Sequence, residues 1–182
     1  MKAAFPLRVV LLVTLFVCAA LAGCTQEATW SGINDKIRAD FPEVEQITTD
    51  SLATWLARAE EPPLLLDVRA SDEYAVSHLE GAQRVDPDAT DFTFLGAVPR
   101  NTPIVTYCSV GYRSSELAKR LQEAGFTNVA NLEGSIFRWA NDGHPVYRQQ
   151  TQVAKVHPYD SLWARLLHKR LRAYAPSTVT RN

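Results

Sequence analysis

Between residues 30 and 147 the apolar positions come in two forms, spaced stripes and short unbroken runs. Trp30, Ile33, Ile37 and Phe41 recur at near-helical spacing and stop at Pro42, which predicts a short amphipathic helix. Ile47 before Thr48-Thr49 has the form of a hydrophobic staple with an N-cap. Leu52, Trp55 and Leu56 give the helix that follows an apolar face. Glu61-Pro62-Pro63 ends it, and Leu64-Leu65-Leu66 starts a core strand. Ile104-Val105-Thr106 predicts a second buried strand, and Glu116 to Ala124 a helix. The buried stripe of that helix is Leu117, Ala118, Leu121 and Ala124, with Gly125 suited to its C-cap and Phe126 to the accompanying contact. Asp86 to Arg100 has little periodicity and is expected to cross the surface as a loop.

Both ends of the chain depart from this pattern. Lys2 and Arg8 precede Val9 to Ala22, an apolar stretch without charge. It is shorter than the ~20 residues of a membrane span and has the form of a secretory signal peptide. Leu21-Ala22-Gly23-Cys24 resembles a bacterial lipobox, which implies cleavage before Cys24 and acylation of it. More than one acyl chain gives stable anchoring. The other readings are an ordinary signal peptide, with Cys24 incidental, and an uncleaved short anchor. Residues 1–23 are thus expected as a lipoprotein-type signal peptide and 24–46 as a tether (Thr25 to Thr29) with the short helix. The protein is then expected on the bacterial cell envelope, lipid-anchored and facing the periplasm. Thr25 is not the aspartate that retains such lipoproteins at the inner membrane of some bacteria, so the outer membrane is favoured.

Charge separates the other end. Cys24 to Arg148 holds eleven Lys or Arg against nineteen acids, whereas residues 150–182 hold six against one. Within this basic extension residues 161–174 predict an amphipathic helix. Leu162, Trp163, Leu166, Leu167, Leu171 and Tyr174 fall on one side, and Arg165, His168, Lys169 and Arg172 on the other. Arg170 lies inside the apolar arc and can snorkel outward. Three roles are open to this helix: covering a face of the acidic domain, lying in the membrane interface, or docking a partner protein. An exported, net-acidic chain is a poor nucleic-acid binder.

The composition, 46% apolar and 21% charged, is that of one globular domain. Of three cysteines, Cys18 would leave with the apolar segment and Cys24 would be acylated, so Cys108 remains as the free thiol. That excludes a disulfide framework and a Cys-x-x-Cys oxidoreductase, and marks a candidate reactive thiol.

Cys108 sits where strand gives way to helix, in Tyr107-Cys108-Ser109-Val110-Gly111-Tyr112-Arg113-Ser114. The nucleophile is the thiolate, and helix N-termini and nearby cations lower a thiol pKa. Gly111 permits a positive φ that turns loop N–H groups inward as an anion cradle. Arg113 can reach over the same hollow. The bland alternative is a buried structural cysteine. His144 before Pro145 and His157 before Pro158 read as turn residues without metal-ligand spacing. Neither a metal nor a cofactor is expected.

This segment resembles the active-site loop of the rhodanese-like sulfurtransferases. Leu64-Leu65-Leu66-Asp67-Val68-Arg69 is similar to the family's first core strand. Glu73-Tyr74 with His78-Leu79-Glu80-Gly81-Ala82 is similar to its second signature. Ala124-Gly125-Phe126 with Val129 to Leu132, then Glu133 to Trp139 and Gly143 to Val146, resemble its later junctions. The resemblance covers about residues 47–149 and implies a three-layer α/β/α domain with a mainly parallel central sheet.

It also implies a mechanism. Cys108 attacks the outer sulfur of a small donor such as thiosulfate, holds it as a persulfide and passes it to a thiol or other nucleophile. Ser109, Val110, Gly111, Tyr112, Arg113 and Ser114 form the substrate-binding loop and stabilise developing charge. Four residues separate Cys108 from Arg113. Cysteine phosphatases and the rhodanese-fold arsenate reductases carry a loop one residue longer, so this loop fits sulfur better than phosphate. Asp67 is expected to be structural, Arg69 is open between structural and site support, and His78 is expected to be architectural. The alternative of another class is a membrane-tethered binding or sensing module that keeps the fold with incidental activity.

Overall fold

The computed structural model describes residues 28–176. The expected signal peptide, the lipidation residue Cys24 and the first part of the tether lie outside the described residues. Helix α1 (Trp30–Asp40) and strand β1 (Glu45–Ile47) lead into α2 (Thr49–Arg58), β2 (Leu64–Asp67), α3 (Ser71–Val76) and β3 (Gln83–Arg84). A long connection with one 3-10 turn at Thr93–Leu95 reaches β4 (Ile104–Tyr107), α4 (Tyr112–Glu123), β5 (Val129–Leu132) and α5 (Ser135–Asn141). An antiparallel hairpin, β6 (Val146–Arg148) and β7 (Thr151–Val153), follows.

The boundaries follow local chemistry. Thr48 Oγ1 caps α2 by accepting the Ser51 N–H at 3.1 Å. Gly125, at φ +94°, closes α4 in a Schellman arrangement: Phe126 N–H bonds Leu121 O at 3.0 Å and Gly125 N–H bonds Gln122 O at 2.9 Å. Leu117, Ala118 and Leu121 are fully buried, but Ala124, at the C-cap, is exposed. Arg120 of α4 donates to Ala89 O and Pro87 O at 2.6 Å each, which ties down the long connection.

The five strands run parallel in the order β1-β5-β4-β2-β3. Every residue of β4 and β5 is buried, as in strands covered on both faces. The steps β1 to β2 and β2 to β3 cross the sheet one way, and β4 to β5 crosses it the other way. Right-handed crossovers therefore put α2 and α3 on one face and α4 on the opposite face. Helix α1 packs on α4 and α5 on α2, which completes the three layers.

The single helix expected over 161–174 does not form. Two 3-10 turns, Trp163–Leu166 and Lys169–Leu171, are separated by extended backbone at Leu167 and His168. Tertiary hydrogen bonds account for the break. Asn141 donates Nδ2 to Leu166 O at 2.7 Å and accepts the His168 N–H at 2.9 Å. Arg172 donates Nε and Nη2 to Leu167 O at 2.9 and 2.7 Å, and Val156 pairs with Leu171 and Ala173. These bonds engage backbone groups that a continuous helix would use itself. Val156, Ala164 and Leu167 are buried against the domain. The extension is thus a strap across the domain, the first of its three open roles, with Leu167 buried, Trp163, Leu166 and Leu171 packed against the core, and Leu162 and Tyr174 exposed.

Candidate active site

Strands β2 and β4 are neighbours, yet their outgoing helices α3 and α4 leave toward opposite faces. Such a pair opens a crevice at its carboxyl ends, the usual ligand position in open parallel sheets. Strand β2 delivers Asp67, Arg69 and, in the first turn of α3, Glu73. Strand β4 delivers Cys108 and its loop.

The loop is tighter than its sequence foretold. Helix α4 begins at Tyr112, four residues before the expected start, so Arg113 and Ser114 lie in its first turn. Gly111 makes this possible with φ +114°; a Cβ there would stand 3.1 Å from Ile37 Cδ1. Its N–H donates to Cys108 Sγ at 3.2 Å, and its carbonyl accepts the hydroxyls of Ser114 and Ser115 at 3.2 and 2.8 Å. Behind the loop, Ser135 Oγ accepts the Cys108 N–H at 3.0 Å. The N–H groups of Ile136 and Phe137 donate to Cys108 O and Ser109 O at 3.2 Å each. The start of α5 thus fixes the backbone of Cys108 and Ser109, and the Gly111 N–H holds the sulfur.

Arg113 does not hang free over the hollow. Its Nη1 and Nη2 donate to Glu73 Oε2 and Oε1 at 3.0 Å each, and Nη2 also reaches Ser109 Oγ at 3.0 Å. The Ser109 hydroxyl donates to Glu73 Oε1 at 2.8 Å. Glu73 Oε2 further accepts the Ala70 N–H at 3.0 Å. Ala70 has no side-chain oxygen, so only this reciprocal half of a capping box exists.

The charges follow from these contacts. Burial pushes the Cys108 thiol up, but the Arg113 charge, the Ser114 hydroxyl and the Gly111 and Ser114 N–H groups outweigh it and hold the thiol below its ordinary value. That favours the reactive thiolate. Burial also works against ionised Glu73, and the Arg113 pairing with the Ala70 and Ser109 bonds overrides it, holding the carboxyl below the usual range.

Asp67 and Arg69 are fully buried. Arg69 donates Nε to Asp67 Oδ1 at 2.9 Å and Nη2 to Oδ2 at 2.6 Å, and it also binds the carbonyls of Glu73 and Ser77. Neither residue lines the cleft over Cys108. Together they fasten the turn that carries Glu73. His78 stacks on Tyr74 with ring centroids 4.0 Å apart and pairs its backbone with Tyr147, an architectural position.

A cleft of about 440 Å³ opens above Cys108. Ser109, Val110, Tyr112 and Arg113 share its floor with Cys108, which is 1% exposed, so a substrate must enter to reach Sγ. The walls come from elsewhere in the chain: Thr29, Gly32, Ile33 and Lys36 at α1, and Tyr159, Leu162 and Trp163 on the strap. Tyr112 ties α1 to the loop by donating its hydroxyl to Asp40 Oδ2 at 2.8 Å.

Glu73 and Ser135 fall in family-like stretches of the sequence, which assigns neither to the site. The signal for Glu73 was an acid in the first turn of a helix that follows a strand end. No comparable signal marks Ser135 or the strap residues, which depend on tertiary placement.

A family model for the rhodanese-like domain matches residues 48–142. A sulfurtransferase of Allochromatium vinosum is 32% identical over 109 residues, 57% of this chain and 94% of that protein. The probable adenylyltransferase/sulfurtransferase MoeZ of Mycobacterium tuberculosis is 32% identical over 100 residues, 54% of this chain; the match spans only 25% of that protein's length. The solved structure of thiosulfate sulfurtransferase from Pseudomonas aeruginosa matches with a TM-score of 0.50 and 32% identity, over 58% of this chain and 20% of that one. Helix α1 and the strap lie outside the residues that the family model matches. By the fold, the loop after β4 and the matched residues together, this chain belongs to the rhodanese-like domain family, with sulfurtransferases among its relatives.

Proposed function

We propose that the protein transfers sulfane sulfur through a persulfide on Cys108. The thiolate attacks the donor's outer sulfur, a new S–S bond forms, and the donor's own bond to that sulfur breaks with the electron pair leaving on the departing anion. A thiol or other nucleophile then attacks the outer sulfur of the persulfide and returns Cys108 as thiolate. The donor is a sulfane-sulfur anion such as thiosulfate, and no cofactor is needed for either step. The observation that carries this reading is Cys108 Sγ at the cleft floor, bonded by the Gly111 N–H and lowered in pKa by the charge of Arg113.

The place of action we propose is the bacterial envelope on its periplasmic side, with Cys24 acylated and the outer membrane favoured. The lipobox-like Leu21 to Cys24 supports it.

Intact mass of the full chain after incubation with thiosulfate and with organic thiosulfonates tests the chemistry. The parent is expected to gain one sulfur atom that a small thiol removes, and Cys108→Ser to gain none. A chain that takes up no sulfur from any of these donors would instead be a binding module on the rhodanese scaffold.

A further inference from the structure

The cleft above Cys108 is larger and less cationic than an inorganic thio-oxyanion needs. Its volume of about 440 Å³ falls in the range of small organic-ligand sites. A five-atom anion over Sγ would leave most of it filled with water. Ile33, Leu162 and Trp163 present apolar surface to that space.

The charge balance points the same way. Lys36 and Arg113 are the only cations among the described lining residues. Lys36 Nζ lies 2.7 Å from Asp40 Oδ2, and Arg113 is held bidentately by Glu73. The Tyr159 ring covers the Arg113 guanidinium, 4.6 Å from ring centroid to Cζ. Each cation is thus matched by a carboxylate, and a dianion gains little over a monoanion. An apolar group gains the walls that α1 and the strap supply.

We propose that the cleft selects a monoanionic organic sulfur carrier, an R–SO2–S⁻ or R–S–S⁻ species whose apolar R group rests against Ile33, Leu162 and Trp163. Tyr159, Leu162 and Trp163 of the strap are then specificity-determining residues outside the rhodanese-like core. This rests on the persulfide reading. For a thiosulfonate, Cys108 S⁻ bonds the outer sulfur, the bond between that sulfur and the sulfonyl sulfur breaks, and the electron pair leaves on a sulfinate, R–SO2⁻. One anion enters and one departs, so no oxidant, reductant or proton is required.

The test compares rates of sulfur uptake by the full chain from benzenethiosulfonate, methanethiosulfonate and thiosulfate. Each rate is divided by the donor's rate with a free small-molecule thiolate, which removes intrinsic reactivity. The expected phenyl-over-methyl ratio is about tenfold or more, the usual worth of a few buried carbons in an apolar pocket, with thiosulfate below the phenyl donor. Leu162→Ala and Tyr159→Ala alter side chains that are 40% and 43% exposed, so folding is preserved; each is expected to reduce that ratio several-fold. A parent ratio near one overturns the inference and leaves the persulfide reading standing. A high ratio that both variants retain also overturns it, since selectivity then arises elsewhere. Sulfur uptake from none of the three donors overturns the persulfide reading, and this inference with it.

Discussion

The carboxylate of Glu73 and the guanidinium of Arg113 meet through two hydrogen bonds of 3.0 Å each. The pair spans the crevice between β2 and β4, joining the first turn of α3 to the first turn of α4. Glu73 is 2% exposed, and its oxygens also hold Ala70 N–H and the Ser109 hydroxyl. One side chain therefore restrains the cysteine loop and balances the cation that acts on the thiol.

Removing that carboxylate separates the two effects. Glu73→Gln leaves Arg113 without its counter-charge, and loss of one partner of a largely buried pair costs about 3 kcal/mol. The uncompensated Arg113 charge then acts more strongly on Cys108. Urea denaturation is expected to show the loss of stability, while the thiolate absorbance of Cys108 titrates at lower pH than in the parent. A thiol that titrates higher would mean that Glu73 acts by holding the loop rather than by tempering Arg113.

Arg113→Gln is expected to move the thiol the other way. Burial pushes the Cys108 pKa up, and the Arg113 charge is foremost among the forces that offset it, so without that charge the pKa rises. Less thiolate is then present at neutral pH, and sulfur uptake there falls, by up to about tenfold for each pKa unit gained. Raising the pH restores the rate. Arg113→Lys keeps the charge but cannot form the planar fork, so it keeps more of the neutral-pH rate than Arg113→Gln while losing stability. A rate that stays low at every pH in both variants would mark a collapsed loop.

The same pair sets part of the acid limit of the fold. Burial opposes ionised Glu73, but its bonds to Arg113, Ala70 and Ser109 prevail, so its folded pKa lies below the ordinary 4.5. A depressed carboxyl contributes stability that is complete above the unfolded value and is lost as pH falls through the folded one. The parent should therefore lose stability more steeply below about pH 4.5 than Glu73→Gln does. Equal slopes in urea denaturation across that range would remove Glu73 from the acid response.

What the chain announced and what it concealed divide along a physical line. Strands β2 and β4, the α4 stripe through Leu121 and the caps at Thr48 and Gly125 were legible because each depends on neighbours a few positions away. So was Cys108 in its strand-to-helix setting. The bidentate grip of Glu73 on Arg113 joins positions far apart in the chain and needs the crevice between two strands, which no local pattern records. The helix expected over 161–174 failed for the same reason. Its periodicity was real in part, since Leu167 faces the core and Trp163, Leu166 and Leu171 pack against it, but Asn141 and Arg172 bind backbone groups in the middle of the segment and hold it extended there.

Asn141 also gives a way to loosen the strap without touching the cysteine loop. Both ends of its amide are used: Nδ2 donates to Leu166 O at 2.7 Å, and Oδ1 accepts the His168 N–H at 2.9 Å. Leu167 lies between these contacts and is 1% exposed. Asn141→Ala removes two hydrogen bonds worth about 1 kcal/mol each. The Val156–Leu171 and Ala173–Val156 backbone bonds still hold the strap at its far end, so the expected result is local opening. Amide hydrogen exchange should accelerate through residues 159–168 while β4 and α4 keep their protection. Leu162 and Trp163 are then less firmly held over the cleft, and the preference for the phenyl over the methyl donor should decline in the same variant. Exchange that accelerates equally in β4 would make Asn141 a determinant of global stability, whereas unchanged exchange would mean that the packing of Ala164 and Leu167 alone secures the strap.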